Sequence, residues 1–414
     1  MPRRFAFSLS IALAATLALL GAAGPAFGQN TVKIAILGPM AFVQGENHWA
    51  GAEMARDEIN RAGGISVGGR KLMVELVRAD TNEMTSVPDA QSAAERVITR
   101  DRVDFLVGGF RSEAVFAMQE VAMDHKKIFL GVGAAHDELG LRVERDYTRY
   151  KYWFRVSPTK ASDLGRTVFA VLNAVADQIR TQLNTPTPKV AVLAEKAVWT
   201  EPLIAAARKS LPAMKMEMVG LWQPSATATD VTAELSAIER AGADIVFTIL
   251  SGPVGIVVGR QMGERGMKAV AFGINVEAQK DEYWGATAGR ANFLSTLNTY
   301  AEVEITPKTV AWVRAFRERY KKTPAYTAAT YDAIMILKEA IEKANSLKSD
   351  DLVPVIEKMS YVGNGAVLEF DKRHDPVWGP GKSLGIGVQW QEGKLVAFWP
   401  PNIKGMQPFR LPAR

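Results

Sequence analysis

The stretch VGGFRSEAVFAMQEVA, residues 107–122, contains the side chains best suited to hold a charged ligand. It begins as an apolar strand, passes through Gly108 and Gly109, and becomes an amphipathic helix just after Arg111 and Ser112. A glycine-rich turn into a helix start offers backbone N–H groups and the positive end of the helix dipole to an anion. We predict that this turn holds an anion, with Ser112 as a donor. Arg111, beside Ser112, could pair with the anion. Two alternatives stay open: Ser112 as a simple helix cap, and Arg111 as a solvated residue at the rim.

The remaining polar residues do not form a recognisable catalytic set. Residues 136–138, His-Asp-Glu, follow a predicted strand and are the most catalytic-looking cluster, but no nucleophile is paired with them. The sequence has no GxSxG motif, no P-loop and no HxxxH spacing, and its glycine pairs at 63–64 and 68–69 do not follow strands as a dinucleotide loop must. The absence of cysteine excludes thiol chemistry. We therefore expect no enzymatic activity, no cofactor and no metal.

The first 28 residues have the pattern of a secretory signal peptide. Arg3 and Arg4 precede the apolar run Leu9–Leu20, and Ala26-Phe27-Gly28 is a cleavage site of small residues. A membrane anchor needs about 20 unbroken apolar residues, and the glycines and proline of residues 21–25 interrupt this run. We expect export to a periplasm, and without a cysteine for lipid attachment we expect the mature chain to diffuse freely.

The charge distribution argues against a polyanionic partner. The net charge of +6 falls to +4 when the two arginines of the signal peptide are removed, and the basic residues are dispersed among acids, as in RDEINRAGG and RAFRERYKK. Such mixing is typical of a solvated surface rather than a nucleic-acid interface. We expect no binding to nucleic acid.

Strand and helix patterns alternate along most of the chain. Strands are predicted at 32–40, 70–80, 103–109 and 127–135, with helices at 48–64, 89–101 and after the glycine-rich turn. A second alternating unit covers about 156–291, and a tail adds helices at 307–320, 325–344 and 350–358 and strands at 367–371 and 385–400. Alternation of this kind indicates parallel sheets covered by helices. The predicted fold class is α/β, with two doubly wound parallel-sheet lobes.

Long segments resemble the type I periplasmic solute-binding proteins, and more narrowly the leucine/isoleucine/valine-binding family that serves ABC importers. The first is IAILGPMAFVQGENHWAGAEMARDEINRAGGI, with its G-A…IN-x-x-GGI pattern. The second, LVGGFRSEAVFAMQEVAMDHKKIFLGVGAAHDEL, follows without a gap, and three later blocks match in order. The resemblance covers nearly the whole mature chain and implies one small ligand clamped between two lobes.

The resemblance also implies the domain organisation. Three crossover segments would join the lobes, near 154–157, 294–298 and 360–365. The N-terminal lobe would comprise 29–154 plus 298–360, and the C-terminal lobe 155–297 plus 361–414. Ligand binding would then favour a hinged, closed state.

The family's ligand contacts map onto several positions of this sequence. The serine that holds the ligand carboxylate corresponds to Ser112, and the next contact strip to Gly133, Ala134 and Ala135, where a hydroxyl residue is usual at 135. The aromatic ring of the second lobe corresponds to Trp199. A further aromatic position corresponds to Ser251.

The largest departure from the family falls on Asn275, where amino-acid binders place a carboxylate that pairs with the ligand ammonium. An amide supplies no charge, and an unpaired buried ammonium costs several kcal/mol. Glu277 could take this role if the register is shifted by two residues; otherwise the ligand is a carboxylate without an α-amine, aromatic if Trp199 stacks on it. Phe42, in the shortened first loop, lines the cleft or packs against the following helix.

These residues predict the periplasmic substrate-binding component of an ABC importer of the branched-chain amino-acid type. Its partners would be a small hydrophobic amino acid or related carboxylate and an inner-membrane ABC permease, and the protein would be a monomer. The alternative is a periplasmic sensor with the same fold that presents its ligand to a membrane receptor.

Overall fold

A computed structural model describes residues 30–413 of the chain. The predicted signal peptide, residues 1–28, lies outside the described residues. Within residues 30–413, no helix combines the length and the apolar character that a membrane crossing requires.

The first sheet has six strands in the order β2-β3-β1-β4-β5-β6. All neighbours pair in parallel except β2 and β3, which form an antiparallel hairpin. Its strands are β1 (Thr31–Gly38), β2 (Ile65–Val67), β3 (Arg70–Asp80), β4 (Phe105–Gly108), β5 (Phe129–Val132) and β6 (Trp153–Ser157). The strands β4, β5 and β6 are short and fully buried, as parallel strands covered on both faces must be, whereas β3 is longer and partly exposed.

A second parallel sheet, in the order β10-β9-β7-β8, follows in the middle of the chain. Its strands are β7 (Lys189–Ala194), β8 (Glu217–Trp222), β9 (Ile245–Leu250) and β10 (Val270–Asn275). A three-stranded antiparallel sheet, β11 (Ser295–Asn298), β14 (Ile386–Gln391) and β15 (Lys394–Trp399), continues this part of the molecule. The small hairpin of β12 (Tyr361–Val362) and β13 (Val367–Leu368) lies apart from both.

Helices connect successive parallel strands and cover the sheets. The five in the first part are α1 (Val43–Arg61), α2 (Val87–Thr99), α3 (Ser112–Asp124), α4 (Glu138–Arg145) and α5 (Tyr147–Tyr150). The next five are α6 (Ala161–Leu183), α7 (Glu201–Ala213), α8 (Thr232–Arg240), α9 (Val254–Glu264) and α10 (Glu282–Ala286). The last three are α11 (Thr309–Tyr320), α12 (Thr330–Ala344) and α13 (Ser349–Glu357).

Separate hydrophobic cores divide the molecule into two lobes. The first lobe is the six-stranded sheet with α1–α5 and α11–α13, whose core includes Phe105, Phe129 and Trp153. The second lobe is the four-stranded and three-stranded sheets with α6–α10, whose cores include Phe247 and Trp390. The predicted fold class of two doubly wound parallel-sheet lobes is confirmed.

The chain passes between the lobes at β6, at β11 and again after the hairpin of β12 and β13. Tyr361 and Leu368 belong to the first core, and the carbonyl of His374 accepts a hydrogen bond from the N–H of Arg155 in β6 at 2.9 Å. The carbonyl of Leu384 instead accepts from the Thr167 hydroxyl of α6 at 2.8 Å. Residues 361–375 therefore pack with the first lobe, and the crossing lies between 375 and 384 rather than at 360–365.

Candidate functional site

The strand order places a ligand-binding edge in each lobe. In the first sheet the strands on one side of the β1–β4 pair and those on the other side are added in opposite directions. The same reversal of strand order occurs at the β7–β9 pair of the second sheet. Such switch points leave a crevice at the carboxyl ends of the strands, where ligands of open α/β sheets bind. Hydrogen bonds between turns of the two lobes show that these edges face each other.

A cavity of about 90 Å³ lies between the two edges and extends to the crossing segments. Since a water molecule needs about 10–15 Å³ of such volume, the cavity has room for roughly six to nine water-sized groups. Arg111 and Asp332 are the charged side chains among its described lining residues. The apolar part of the wall includes Phe110, Val156, Leu164, Trp199, Ile274, Val276 and Leu297.

The turn after β4 supplies the positive end of the cavity. Gly108 has φ of 113° and Gly109 has φ of 78°, and a Cβ atom at Gly108 would lie 2.1 Å from the carbonyl oxygen of Leu37. The chain can therefore turn tightly into α3 and bring Arg111 and Ser112 to the cavity wall. The Ser112 Oγ accepts a hydrogen bond from the N–H of His136 at 3.2 Å, so its own proton remains available to a ligand.

A carboxylate of the protein itself occupies part of this turn. The N–H groups of Phe110 and Arg111 donate to Glu83 Oε2 at 2.9 and 2.7 Å, and the Thr81 hydroxyl donates to Glu83 Oε1 at 2.7 Å. Burial of Glu83 raises its pKa to about 7, although these three hydrogen bonds oppose the shift. Glu83 therefore occupies two of the backbone N–H groups that this turn could offer to an anion. The groups still available to a ligand carboxylate are the Ser112 hydroxyl, the Arg111 side chain and the start of α3.

The second lobe repeats this arrangement at the turn after β9. Glu195, fully buried after β7, accepts from the N–H groups of Ser251 and Gly252, each at 2.8 Å. It also accepts from Trp199 Nε1 at 3.1 Å and from the Ser251 hydroxyl. Glu195 therefore fixes both Trp199 and Ser251 in the cavity wall.

Polar contacts join the lobes around the cavity. Arg111 Nη1 lies 3.7 Å from Glu195 Oε1, while its Nε donates to Glu113 at 2.8 Å. Gln44 Nε2, at the start of α1, donates to the Ser251 carbonyl at 3.1 Å and to Glu277 at 2.9 Å.

A second set of contacts joins the lobes outside the cavity lining. Asp281 of the second lobe accepts from the Thr323 N–H of the first lobe at 2.7 Å. The Thr323 hydroxyl also donates to both carboxylate oxygens of Asp281, at 2.8 and 2.7 Å. The lobes of this structure are thus held together by two sets of contacts.

The structure brings most of the residues predicted from the sequence to this cavity. Those that line it are Arg111, Ser112, Gly133, Ala135, Trp199 and Ser251. Ala134 does not line it, because its carbonyl accepts from the buried Arg155 guanidinium instead. Phe42 is also absent from the lining, because it precedes α1 as the half-buried N-cap residue.

Asn275, the residue predicted to face the ligand, turns away from the cavity. Its Nδ2 donates to the Gly255 carbonyl at 3.1 Å and contacts the Tyr283 hydroxyl at 3.1 Å, so its side chain lies against α9. Its neighbours Ile274 and Val276 line the cavity, because successive strand residues face opposite sides. The prediction for Asn275 therefore has to be corrected.

Glu277, the substitute considered from the sequence, is buried outside the cavity lining and already paired. Lys280 Nζ lies 2.7 Å from its Oε2, and Gln44 donates to its Oε1. On the second-lobe wall the polar side chains of the lining are therefore uncharged.

Sequence reasoning missed Glu83, Glu195 and Gln44. A signal for the two acids was present, since Glu195 follows directly on an apolar strand in VAVLAEK and Glu83 comes three residues after β3 in RADTNEMT. Carboxylates at the carboxyl edge of a parallel sheet lie beside the N–H groups of neighbouring turns. No comparable signal marks Gln44, which depends on the approach of the lobes.

Comparisons with known proteins agree with this architecture. A family model described as "Periplasmic binding protein" matches residues 31–379. Among curated proteins, "Leu/Ile/Val-binding protein homolog 8" of Brucella melitensis biotype 1 is 23% identical over 404 residues, covering 95% of this chain and 95% of the relative.

Solved structures show the same fold. The substrate-binding protein LivJ from Streptococcus pneumoniae, in complex with isoleucine, has a TM-score of 0.71 and 20% identity and covers 91% of this chain and 100% of its own. A solute-binding protein from R. palustris, in complex with benzoate, has a TM-score of 0.72 and 19% identity over 89% of this chain and 95% of its own.

Proposed function

The chain belongs to the periplasmic binding protein family, and from that premise we propose that it captures a small carboxylate lacking an α-amine for an ABC permease in the inner membrane. The observation that carries this proposal is the charge arrangement of the cavity. Arg111 and the Ser112 hydroxyl stand together at one end, where Arg111 also pairs with Glu113 and lies 3.7 Å from Glu195 behind the second-lobe wall. The polar side chains that line the second-lobe wall are uncharged.

Arg111 and Ser112 form the carboxylate end. Both line the cavity, and both are more than nine-tenths buried, so their interactions with an anion would be little screened by water. A hydrogen bond to a charged group contributes about 1.5–3 kcal/mol. Glu83 holds the turn that carries both groups, so this end of the cavity is fixed before the ligand arrives.

The cavity offers little to a ligand ammonium. Glu277 is paired with Lys280 and lies outside the lining. Asp332, the acidic residue of the lining, packs with Asn364 and Tyr361 and not with Arg111 and Ser112, whereas an α-ammonium would lie directly beside the ligand carboxylate. Leaving an ammonium unpaired costs several kcal/mol, a large share of the roughly 8 kcal/mol of micromolar binding.

The middle of the cavity suits a hydrocarbon chain or ring. Its wall combines Trp199 and Phe110 with aliphatic side chains from both lobes. The two solved relatives differ in the same respect, since one binds the amino acid isoleucine and the other the amine-free acid benzoate. The charge arrangement here favours the second class.

The decisive experiment compares ligands that differ only in the amine. We expect 4-methylpentanoate and 3-phenylpropionate to raise the melting temperature, and leucine and phenylalanine, which add an α-amine to the same skeletons, to raise it much less, because ligands stabilise the state they bind. Titration calorimetry would then give the affinities. Tighter binding of leucine than of 4-methylpentanoate would overturn the proposal.

A matched pair of serine variants tests the carboxylate end. Ser112→Ala is expected to weaken binding of 3-phenylpropionate by about tenfold or more. Ser225→Ala removes an exposed hydroxyl far along the chain and should leave affinity unchanged. Equal affinity of the Ser112→Ala variant and the native protein would remove Ser112 from the site.

A further inference from the structure

The cavity continues beyond the ligand cleft into the region where the chain crosses between the lobes. We call this part the hinge chamber; it lies between Asn298, Tyr300, Asp332 and the segment 383–385, all of which line the cavity. Its residues belong to other elements than Arg111 and Ser112, since Asn298 ends β11 and segment 383–385 precedes β14, whereas Arg111 and Ser112 lie at the start of α3. A ligand held by its carboxylate at the α3 turn would direct its other end toward this chamber.

Two buried donors in the hinge chamber have no hydrogen-bond partner among the described residues. Asn298 is 3% exposed, and its Oδ1 accepts from the Thr299 N–H at 2.8 Å while its Nδ2 is unpaired. Tyr300 is 1% exposed, its ring packs 4.8 Å from that of Trp312, and its hydroxyl is unpaired. Buried donors are almost always satisfied in native proteins, and leaving one unpaired costs about 1–3 kcal/mol.

The chemistry of these two groups defines what they can bind. An amide Nδ2 only donates. Burial, together with the nearby Asp332 and Tyr361, raises the pKa of Tyr300 well above its ordinary value, so its hydroxyl is neutral and can donate as well. Asn298 and Tyr300 both line the hinge chamber, and their two donors could bind an oxygen atom that accepts hydrogen bonds.

Asp332 restricts the charge of that acceptor. Its carboxylate is held by Asn364, and burial raises its pKa only to about 6, so it is mostly ionised at neutral pH. A second anion beside it in a poorly screened site would be repelled. The acceptor is therefore an uncharged oxygen.

We propose that the hinge chamber is a specificity subsite for an uncharged oxygen, such as a hydroxyl, at the end of the ligand remote from its carboxylate. This inference rests on the proposed function, because the carboxylate end sets the direction of the ligand. It adds a requirement that the cleft alone does not make: the preferred ligands are hydroxylated acids rather than plain hydrocarbon acids.

The test uses two pairs of acids of different length, each with and without a terminal hydroxyl. They are benzoate with 4-hydroxybenzoate, and 3-phenylpropionate with 3-(4-hydroxyphenyl)propionate. In at least one pair the hydroxylated acid is expected to bind the native protein about tenfold more tightly by calorimetry. Tyr300→Phe should reduce that preference to about twofold or less, with the affinity for the unsubstituted acid unchanged.

Tyr331→Phe is the matched control. Its ring also packs against Trp312, at 5.6 Å, but its hydroxyl donates to Glu58 at 2.5 Å outside the cavity lining. This variant should keep the native preference. Asn298→Ala supplies a second test of the same chamber if Tyr300→Phe melts well below the native protein.

The possible outcomes distinguish a failure of the hinge-chamber proposal from a failure of the proposed function. If hydroxylated and plain acids bind with equal affinity in both pairs, or if the preference survives both variants, the chamber is not a ligand subsite. If neither kind of acid binds, the proposed function itself is wrong.

Discussion

Glu83 and Glu195 occupy matching positions in the two lobes but have different surroundings. Each is a buried carboxylate beyond a strand end that receives two consecutive backbone N–H groups of a turn bordering the cavity. Glu195 receives two further side-chain donors and lies 3.7 Å from the Arg111 guanidinium of the opposite lobe. Glu83 receives only the Thr81 hydroxyl in addition.

The difference shows how each turn is stabilised. A buried carboxylate with few donors holds its proton more tightly, as the pKa of about 7 for Glu83 indicates. Part of the cost of burying the Glu195 carboxylate is offset by the Arg111 guanidinium. Arg111 belongs to the other lobe and reaches Glu195 only when the lobes are together. The first-lobe turn is therefore complete within its own lobe, whereas the second-lobe turn is completed by closure.

The largest effect is expected from Glu195→Ala. Ser251, Gly252 and Trp199 would each keep a buried donor without an acceptor, so the free energy of unfolding should fall by about 3–5 kcal/mol. Glu83→Ala also removes a poorly compensated charge and should cost only about 1–2 kcal/mol. Urea denaturation at pH 8 would measure both.

The exposed Glu217→Ala is the control for Glu195→Ala and should change the unfolding free energy by less than about 0.5 kcal/mol. Equal losses for Glu195→Ala and Glu83→Ala would contradict the distinction between the two turns.

The second effect is a pH dependence carried by Glu83. Its pKa is 4.5 as a free carboxyl and about 7 when folded, so the folded chain binds more protons between these values. Stability from this group is therefore fully present below pH 4.5 and falls as the pH rises through 7, by about 3 kcal/mol in total. Glu83→Gln should lose this contribution, as denaturation at pH 4.5, 6 and 8 would reveal.

Other titrating groups are common to both proteins and cancel when the variant is compared with the native chain at each pH. A constant difference between Glu83→Gln and the native protein across this range would show that Glu83 does not titrate there.

The smallest effect concerns closure itself. Gln44→Ala removes two hydrogen bonds that join the lobes without touching the cavity lining. The closed state should become less populated and the affinity for 3-phenylpropionate should fall about three- to tenfold, with little change in unfolding free energy. Glu46→Ala, on the same helix and exposed, should bind as the native protein does. Native affinity of Gln44→Ala would show that this contact does not contribute to closure.

The sequence was sufficient to predict the alternating elements and much of the cavity. Apolar runs such as that of β9 and the glycine-rich turn before Ser112 are local signals, and they predict local structure. Trp199 and Ser251, which the family resemblance singled out, line the cavity. The contacts of these residues with a ligand remain predictions.

Features that depend on orientation or on distant parts of the chain could not be predicted in this way. A displacement of one residue along β10 moves a side chain from one face to the other, which is why Ile274 and Val276, and not Asn275, face the cavity. The late third crossing depends on the packing of Tyr361 and Leu368 against the first core. Both residues lie in strands of only two residues, too short for a periodic pattern.

The contacts of Asp281 with Thr323 have a consequence for the rate of ligand exchange. They lie outside the cavity lining, so they contribute equally whatever ligand is enclosed. Separation of the lobes must break them, whereas a ligand entering the open cleft meets no such requirement. They therefore lengthen the residence time of every ligand while leaving its association rate unchanged. A membrane partner that competes for Thr323 would hasten release without distinguishing one ligand from another.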